Sequence, residues 1–385
     1  MKDPLRYDVI VIGVGSMGSS TCYYLAKAGI KVLGLEQFDI PNELSSHTGQ
    51  SRIIRKAYYE HPDYVPLLER AYHNWADLGA ASGQQVYFKT GLLYAGRPEH
   101  PILQGVKDSA NTYRIKLDQF SEKDKTTRYP ILKTPADYEI LFEPDAGFIT
   151  PENAINAYVE LAKQHGAVIT SKVKVESWRK VKSHFEVNTS IGTYTAEKLI
   201  FTAGPWAAKL LPALKSTLSI TKQVLAWVKT RNSSPFELGQ FPCWMIADDH
   251  YPGVFYGFPI LPSANFDGPT GFKLAHHYPG ELTDPDFINR NPSSADEHLL
   301  VQFMQRYFPD EYISTIEMKT CMYTNSPDEH FILDFLPGYD QDVMVATGFS
   351  GHGFKFASVI GEIMSDLAIK GKTELPIEFL RLKRF

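Results

Sequence analysis

Tyr7-Asp8-Val9-Ile10-Val11-Ile12-Gly13-Val14-Gly15-Ser16-Met17-Gly18 is the stretch whose reading, carried on to Glu36, decides the fold. Its first half is a nearly unbroken β-branched run of strand length, as a strand buried on both faces requires. It enters a G-x-G-x-x-G, after which Ser19 to Ala28 reads as a helix closed by Gly29. Lys31 to Leu35 reads as a second strand, and Glu36 follows eighteen residues after Gly18. In a dinucleotide site Gly13 permits the tight turn, Gly15 lets a pyrophosphate approach the backbone, and Gly18 lets helix and strand pack closely. The helix start offers free N–H groups and partial positive charge to phosphates, while Glu36 can accept from ribose hydroxyls. Glycines can also serve a turn alone. Here the flanking elements and the terminal acid complete a βαβ unit, and the acid suits FAD or NAD rather than NADP.

The whole chain has 385 residues, enough for two domains with real cores. Its 43% hydrophobic and 22% charged content is ordinary for a globular protein. A net charge of −5 gives no general attraction to nucleic acid or anionic membrane. No apolar run reaches the ~18 residues of a membrane span, and the N-terminus enters its first strand too soon for a signal peptide. Leu382 to Phe385 is not a peroxisomal address. Cys22, Cys243 and Cys321 are too few and scattered for a disulfide framework or a metal site, which fits a reducing cytoplasm.

Outward from the βαβ unit, a polar loop, Gln37 to Gln50, leads into Ser51-Arg52-Ile53-Ile54-Arg55-Lys56. Its two arginines, three apart, are expected on one face of a helical turn where a ligand crevice opens. A helix starting at His61-Pro62 turns Tyr64, Leu68, Ala71, Trp75 and Leu78 inward. Val86 to Tyr94 reads as a strand or bent hairpin, with charged helical sequence following to about Arg128. Thr150-Pro151-Glu152 combines an N-cap, Pro at the first helical position and an acid in the first turn. Strands at 168–170, 173–176, 185–187 and 199–202 then return the chain to the nucleotide domain, ending in the glycine turn of Thr202 to Trp206. Later strands are expected at Val254–Pro259 and Gly271–His277, where alternation puts Lys273, Ala275 and His277 on one face. Asp342–Thr347 reads as a buried strand and Phe356–Lys370 as a final helix. The fold class is α/β. A Rossmann-like domain is assembled from residues 1–85, 150–215 and 320–385, and a mainly antiparallel α+β substrate domain from 86–149 and 216–319.

Five ordered motifs carry a resemblance: Gly13 to Gly18, Ser51 to Arg55, Lys273 to His277, Thr320 to Thr324 with Pro327 to Phe331, and Gly348 to Phe356. Over nearly the whole length the chain resembles the monomeric sarcosine oxidase family of flavoproteins, which includes the N-methyltryptophan and pipecolate oxidases. The resemblance implies one FAD per chain, joined through its 8-methyl carbon to the sulfur of Cys321. It matches Gly13, Gly15, Gly18, Glu36, Ser46, Val173, Gly204, Gly348, Gly351, Gly353, Phe354 and Lys355 to cofactor contacts. Arg52 is matched to an arginine near flavin and substrate, and Arg55 with Lys355 to a pair gripping the substrate carboxylate. Lys273 matches a lysine placed where dioxygen is reduced, and His277, Tyr256 and Tyr323 match residues lining the substrate cavity.

The implied reaction takes a secondary amino acid such as sarcosine to an imine, hydrolysed to glycine and formaldehyde, with oxygen reduced to hydrogen peroxide. A monomer without nucleic-acid or membrane partners is implied too. N-methyltryptophan or pipecolate oxidation, or an amino acid oxidase or dehydrogenase with non-covalent FAD, are the alternatives. An ordinary NAD dehydrogenase would have no use for Cys321 or the cations Arg55, Lys273 and Lys355. One departure stands out in the loop before Arg52: Thr48 occupies the place where many members carry a second histidine after His47.

Overall fold

The βαβ unit forms as its residues dictate in a computed structural model that describes residues 6–278 and 280–385. Strand Arg6–Ile12 turns into helix Ser16–Lys27, which starts earlier than the sequence suggests, and the chain returns as strand Val32–Leu35. Strand Gly192–Phe201 lies parallel on the other side of Arg6–Ile12. Val168–Thr170 and Val343–Thr347 extend the parallel set at its two edges. The apolar runs are explained by burial on both faces: Ile10, Val11, Leu33, Ile200 and Val345 have no exposed surface. One face packs on helices Ser16–Lys27, Val65–Ser82, Pro151–Gln164 and Ala357–Lys370, whose Leu25, Leu68, Tyr158 and Ile360 share one core.

A second sheet has the strand order 312–325, 219–230, 272–277, 254–258, 243–246, 92–96, 139–143, 118–120. All its pairings are antiparallel except that of Cys243–Ile246 with Leu92–Gly96. Helix Ser294–Tyr307 covers it, joining Leu300 and Phe303 to Trp244, Phe255 and Phe272. A separate three-stranded sheet is made by Arg52–Ile54, Gly147–Ile149 and Tyr87–Lys89.

That small sheet corrects two expectations. Arg52 and Arg55 do not share a helical face, because Ile53 and Ile54 pair with Phe148 and Gly147 as a strand. Val86 to Tyr94 is not one hairpin either: Tyr87–Lys89 joins the small sheet, and Leu92–Gly96 joins the large antiparallel one. The expected strand at 173–176 begins at Val175 instead. The division expected between 319 and 320 falls inside strand Tyr312–Asn325, which pairs along its length with Ser219–Thr230. By pairing, Cys321 and Tyr323 therefore belong to the antiparallel sheet.

Candidate active site

A cavity of about 470 Å³ runs between the two large sheets, bringing residues from 12 to 355 onto one wall. At one end Gly13, Gly15, Glu36, Val173 and Gly204 line it. Gly18 does not line it but shapes it: a Cβ there would fall 1.8 Å from the Gly13 carbonyl oxygen. Among the described residues no side chain caps the helix that begins at Ser16, so its first amides are left for an anion. Glu36 accepts from the Val14 amide at 2.9 Å and the Phe38 amide at 3.1 Å. Burial raises its pKa, and those amides work in the opposite sense. Open space beside Gly204, a Gly15 that lines the cavity, uncapped amides and a buried acid together fit a dinucleotide with free ribose hydroxyls.

In the middle stand Ser46, His47, Arg52 and Cys321. Arg52 donates to the carbonyls of Ser51 at 2.9 Å, Ser46 at 3.1 Å and Thr48 at 2.5 Å. Thr48 thus contributes its carbonyl to the arginine's setting, a contact that any residue there could make. Burial pushes the His47 imidazole down to about 4, leaving it neutral. The Cys321 thiol, also buried, is pushed up by desolvation against the opposing pull of Arg52, Lys273 and Arg290.

The far end holds Arg55, Lys355, Tyr256, His277 and Tyr323, with Gly351, Gly353 and Phe354 in its wall. Arg55 is already engaged: one guanidinium nitrogen donates to both oxygens of Glu60, the other to the Ala57 carbonyl at 3.0 Å. Lys355 donates to the His352 carbonyl at 2.8 Å and lies over the Tyr58 ring. Burial, then Arg55, pushes its ammonium down to about 7. His277 lies 3.0 Å from the Tyr323 hydroxyl and is pushed down to about 4 by burial. Gly351 sits at φ +81, and a Cβ there would lie 2.3 Å from the Tyr323 ring.

Besides Gly18, two of the expected residues stand outside the wall. Gly348 is not in the cavity wall; it opens the turn after strand Val343–Thr347. Lys273 lies behind the wall, fully buried, on a strand flanked on both sides. Its ammonium donates to the carbonyls of Gly49 and Ser51 and to the Ser51 hydroxyl, above the Phe258 ring. Sequence reasoning passed over Glu60, His352 and Met245, which also line the cavity. Glycines on both sides of His352 were the one available signal.

Residues 8–367 match the family model described as FAD dependent oxidoreductase (DAO). A monomeric sarcosine oxidase from Bacillus sp. (strain NS-129) is 37% identical over 384 residues, 98% of this chain and 97% of the relative. The chain belongs to the monomeric sarcosine oxidase family. Within this family, the N-methyl-L-tryptophan oxidase of Citrobacter koseri is 33% identical over 391 residues, 99% of this chain and all of that enzyme. The same fold recurs in NikD, an amino acid oxidase, at a TM-score of 0.85 and 23% identity over 98% of this chain and 97% of that one. As a member of the sarcosine oxidase family the protein is an FAD-dependent oxidoreductase, so the dinucleotide its cavity fits is FAD.

Proposed function

We propose that this enzyme oxidises a small secondary amino acid, sarcosine first, to an imine that hydrolyses to glycine and formaldehyde, and passes the electrons to oxygen. The observation that carries the reading is the far end of the cavity. Two cations, Arg55 and Lys355, face a wall of Tyr256, His277 and Tyr323, with Cys321 lining the same space. Bound FAD supplies the two-electron chemistry. In this reading Cys321 is the point of attachment for the flavin, supported by its place in the wall and by the cations around it. Gly13, Gly15, Gly18, Glu36, Ser46, Val173, Gly204, Gly351, Gly353 and Phe354 shape or line the rest of the cofactor's bed, while Gly348 stands outside the wall.

Arg55 and Lys355 receive the substrate carboxylate, which must share or replace Glu60 at the guanidinium. The amine has to lose its ammonium proton before a C–H bond beside it can break. A neutral His277 and the hydroxyls of Tyr256 and Tyr323 offer it lone pairs without adding charge. Arg52, fastened to three carbonyls, holds a positive charge at the junction of the cofactor and substrate ends. Lys273 is the cation for the oxygen step, where a positive charge in a dry setting stabilises developing negative charge. A monomer working in the cytoplasm, with no nucleic-acid or membrane partner, completes the reading. Among the described residues no helix is long and apolar enough to cross a membrane.

The test is the absorbance of purified protein before and after acid precipitation, followed by peroxide production with sarcosine, pipecolate and N-methyltryptophan. Yellow colour retained in the pellet and fastest turnover of sarcosine are expected. Colour released into the supernatant removes the Cys321 bond, and preference for a larger amino acid moves the substrate assignment.

A further inference from the structure

The peptide unit joining Gly49 to Gln50 lies between a carboxylate and an ammonium. Its N–H donates to Glu152 Oε1 at 3.3 Å, and the Gly49 N–H reaches the same oxygen at 3.0 Å. Its carbonyl accepts from Lys273 Nζ, which also donates to the Ser51 carbonyl at 2.8 Å and the Ser51 hydroxyl at 3.0 Å. A peptide whose N–H serves an anion presents a stronger acceptor at its carbonyl, because hydrogen bonds in series polarise one another. Gln50 is held at φ +69, a conformation that a non-glycine residue keeps only where its surroundings insist. Those surroundings include the Trp227 indole N–H on Gln50 Oε1 at 3.0 Å and the Asp267 carbonyl on its Nε2 at 2.8 Å.

Glu152 belongs to the first turn of helix Pro151–Gln164, where an acid ordinarily balances the helix dipole. Here its carboxylate instead crosses to the loop that receives Lys273. Among the described residues, the charged and titratable groups that act on that lysine are Arg52, Glu152, Cys321 and Cys243. Burial and Arg52 favour the neutral amine, and Glu152 is the carboxylate that opposes them.

We propose that Glu152 is a positioning residue for Lys273, holding its ammonium against Gly49 and Ser51 through the 49–50 peptide for the reaction of the reduced enzyme with oxygen. The inference rests on the reading of Lys273 as the cation of the oxygen step. Glu152→Gln keeps an acceptor oxygen and removes the charge; Glu152→Ala removes both. Flavin-loaded protein is reduced without oxygen, then mixed with oxygen between pH 6 and 9.

In Glu152→Gln, reoxidation at pH 8 should slow about tenfold while anaerobic reduction by the amino acid changes less than about twofold. The pH at which reoxidation declines should move down by on the order of one unit, since a lysine deprived of its anion loses its proton earlier. Glu152→Ala should lose more. The 15Nζ resonance of Lys273, identified by its loss in Lys273→Met, should titrate at a correspondingly lower pH in Glu152→Gln. Unchanged reoxidation and titration in Glu152→Gln, with Lys273→Met slow, would overturn the role of Glu152 alone. Normal reoxidation in Lys273→Met would overturn the oxygen role of the lysine and this inference with it.

Discussion

Arg55 and Glu60 form a buried ion pair inside the cavity, one guanidinium nitrogen lying 2.7 Å from each carboxylate oxygen. Burial alone would raise the acid, but Arg55, His352 and Lys355 drive it down to about 2 from an ordinary 4.5. A carboxyl depressed in this way stabilises the fold fully above its ordinary value and loses that contribution as pH falls toward 2. Glu60→Gln should therefore cost about 3 kcal/mol at pH 7 and much less near pH 2.5. Urea unfolding at the two pH values checks this, and an equal loss at both would contradict the pair's contribution.

Lys355 should make binding of simple carboxylates depend on pH. Its ammonium, pushed down to about 7, is charged below that value and neutral above it. Affinity for a carboxylate ligand without an amine should thus fall as pH rises through 7, with Arg55 remaining charged throughout. In Lys355→Met the ligand should bind about tenfold more weakly at pH 6, with little further change up to pH 8. Titration of the flavin spectrum with the ligand measures both. A variant that keeps the pH dependence would place the titration on another group.

Cys321→Ser should retain yellow colour in the native protein and release it on acid precipitation. The serine fits the same buried position, and the other residues lining the cavity are untouched. Acid-stable flavin in this variant would mean attachment elsewhere.

Gly18→Ala should fail at the level of the fold. Its Cβ would lie 1.8 Å from the Gly13 carbonyl oxygen and 2.7 Å from the Thr202 hydroxyl oxygen. That hydroxyl already donates to Gly13 O at 2.6 Å, so neither atom can retreat without breaking the turn. A loss of about 3 kcal/mol or more, with FAD content below half, is expected from thermal unfolding and flavin absorbance. Full occupancy with an unchanged Tm would show that the turn can open.

The nucleotide half was legible because every local rule agreed there: apolar run, glycine turn, helix and terminal acid each pointed to the same unit. The Arg52–Arg55 segment misled because two isoleucines are too few to show a period, and their partners, Gly147 and Phe148, lie about ninety residues on. Alternation correctly placed Lys273 and His277 on one strand, but only the flanking strands show that Lys273 is buried and reaches the loop at 49–51. Glu60 carried no readable signal, and Glu152 read only as the first-turn acid of its helix. An acid's partner across the fold is set by chain crossings, and no spacing rule describes those.

Strand Tyr312–Asn325 runs the length of the antiparallel sheet's edge and carries Cys321, while Glu36 and the first glycines follow directly on strands of the parallel sheet. A flavin bonded to that cysteine would have its adenosine end anchored in one half of the molecule and its ring edge in the other. The cofactor would then act as a brace between them. Unlike an ordinary ligand, whose stabilising effect fades on dilution, such a brace keeps its effect at any protein concentration. Heating should melt the loaded enzyme as one cooperative unit and let the two halves of the flavin-free chain part separately.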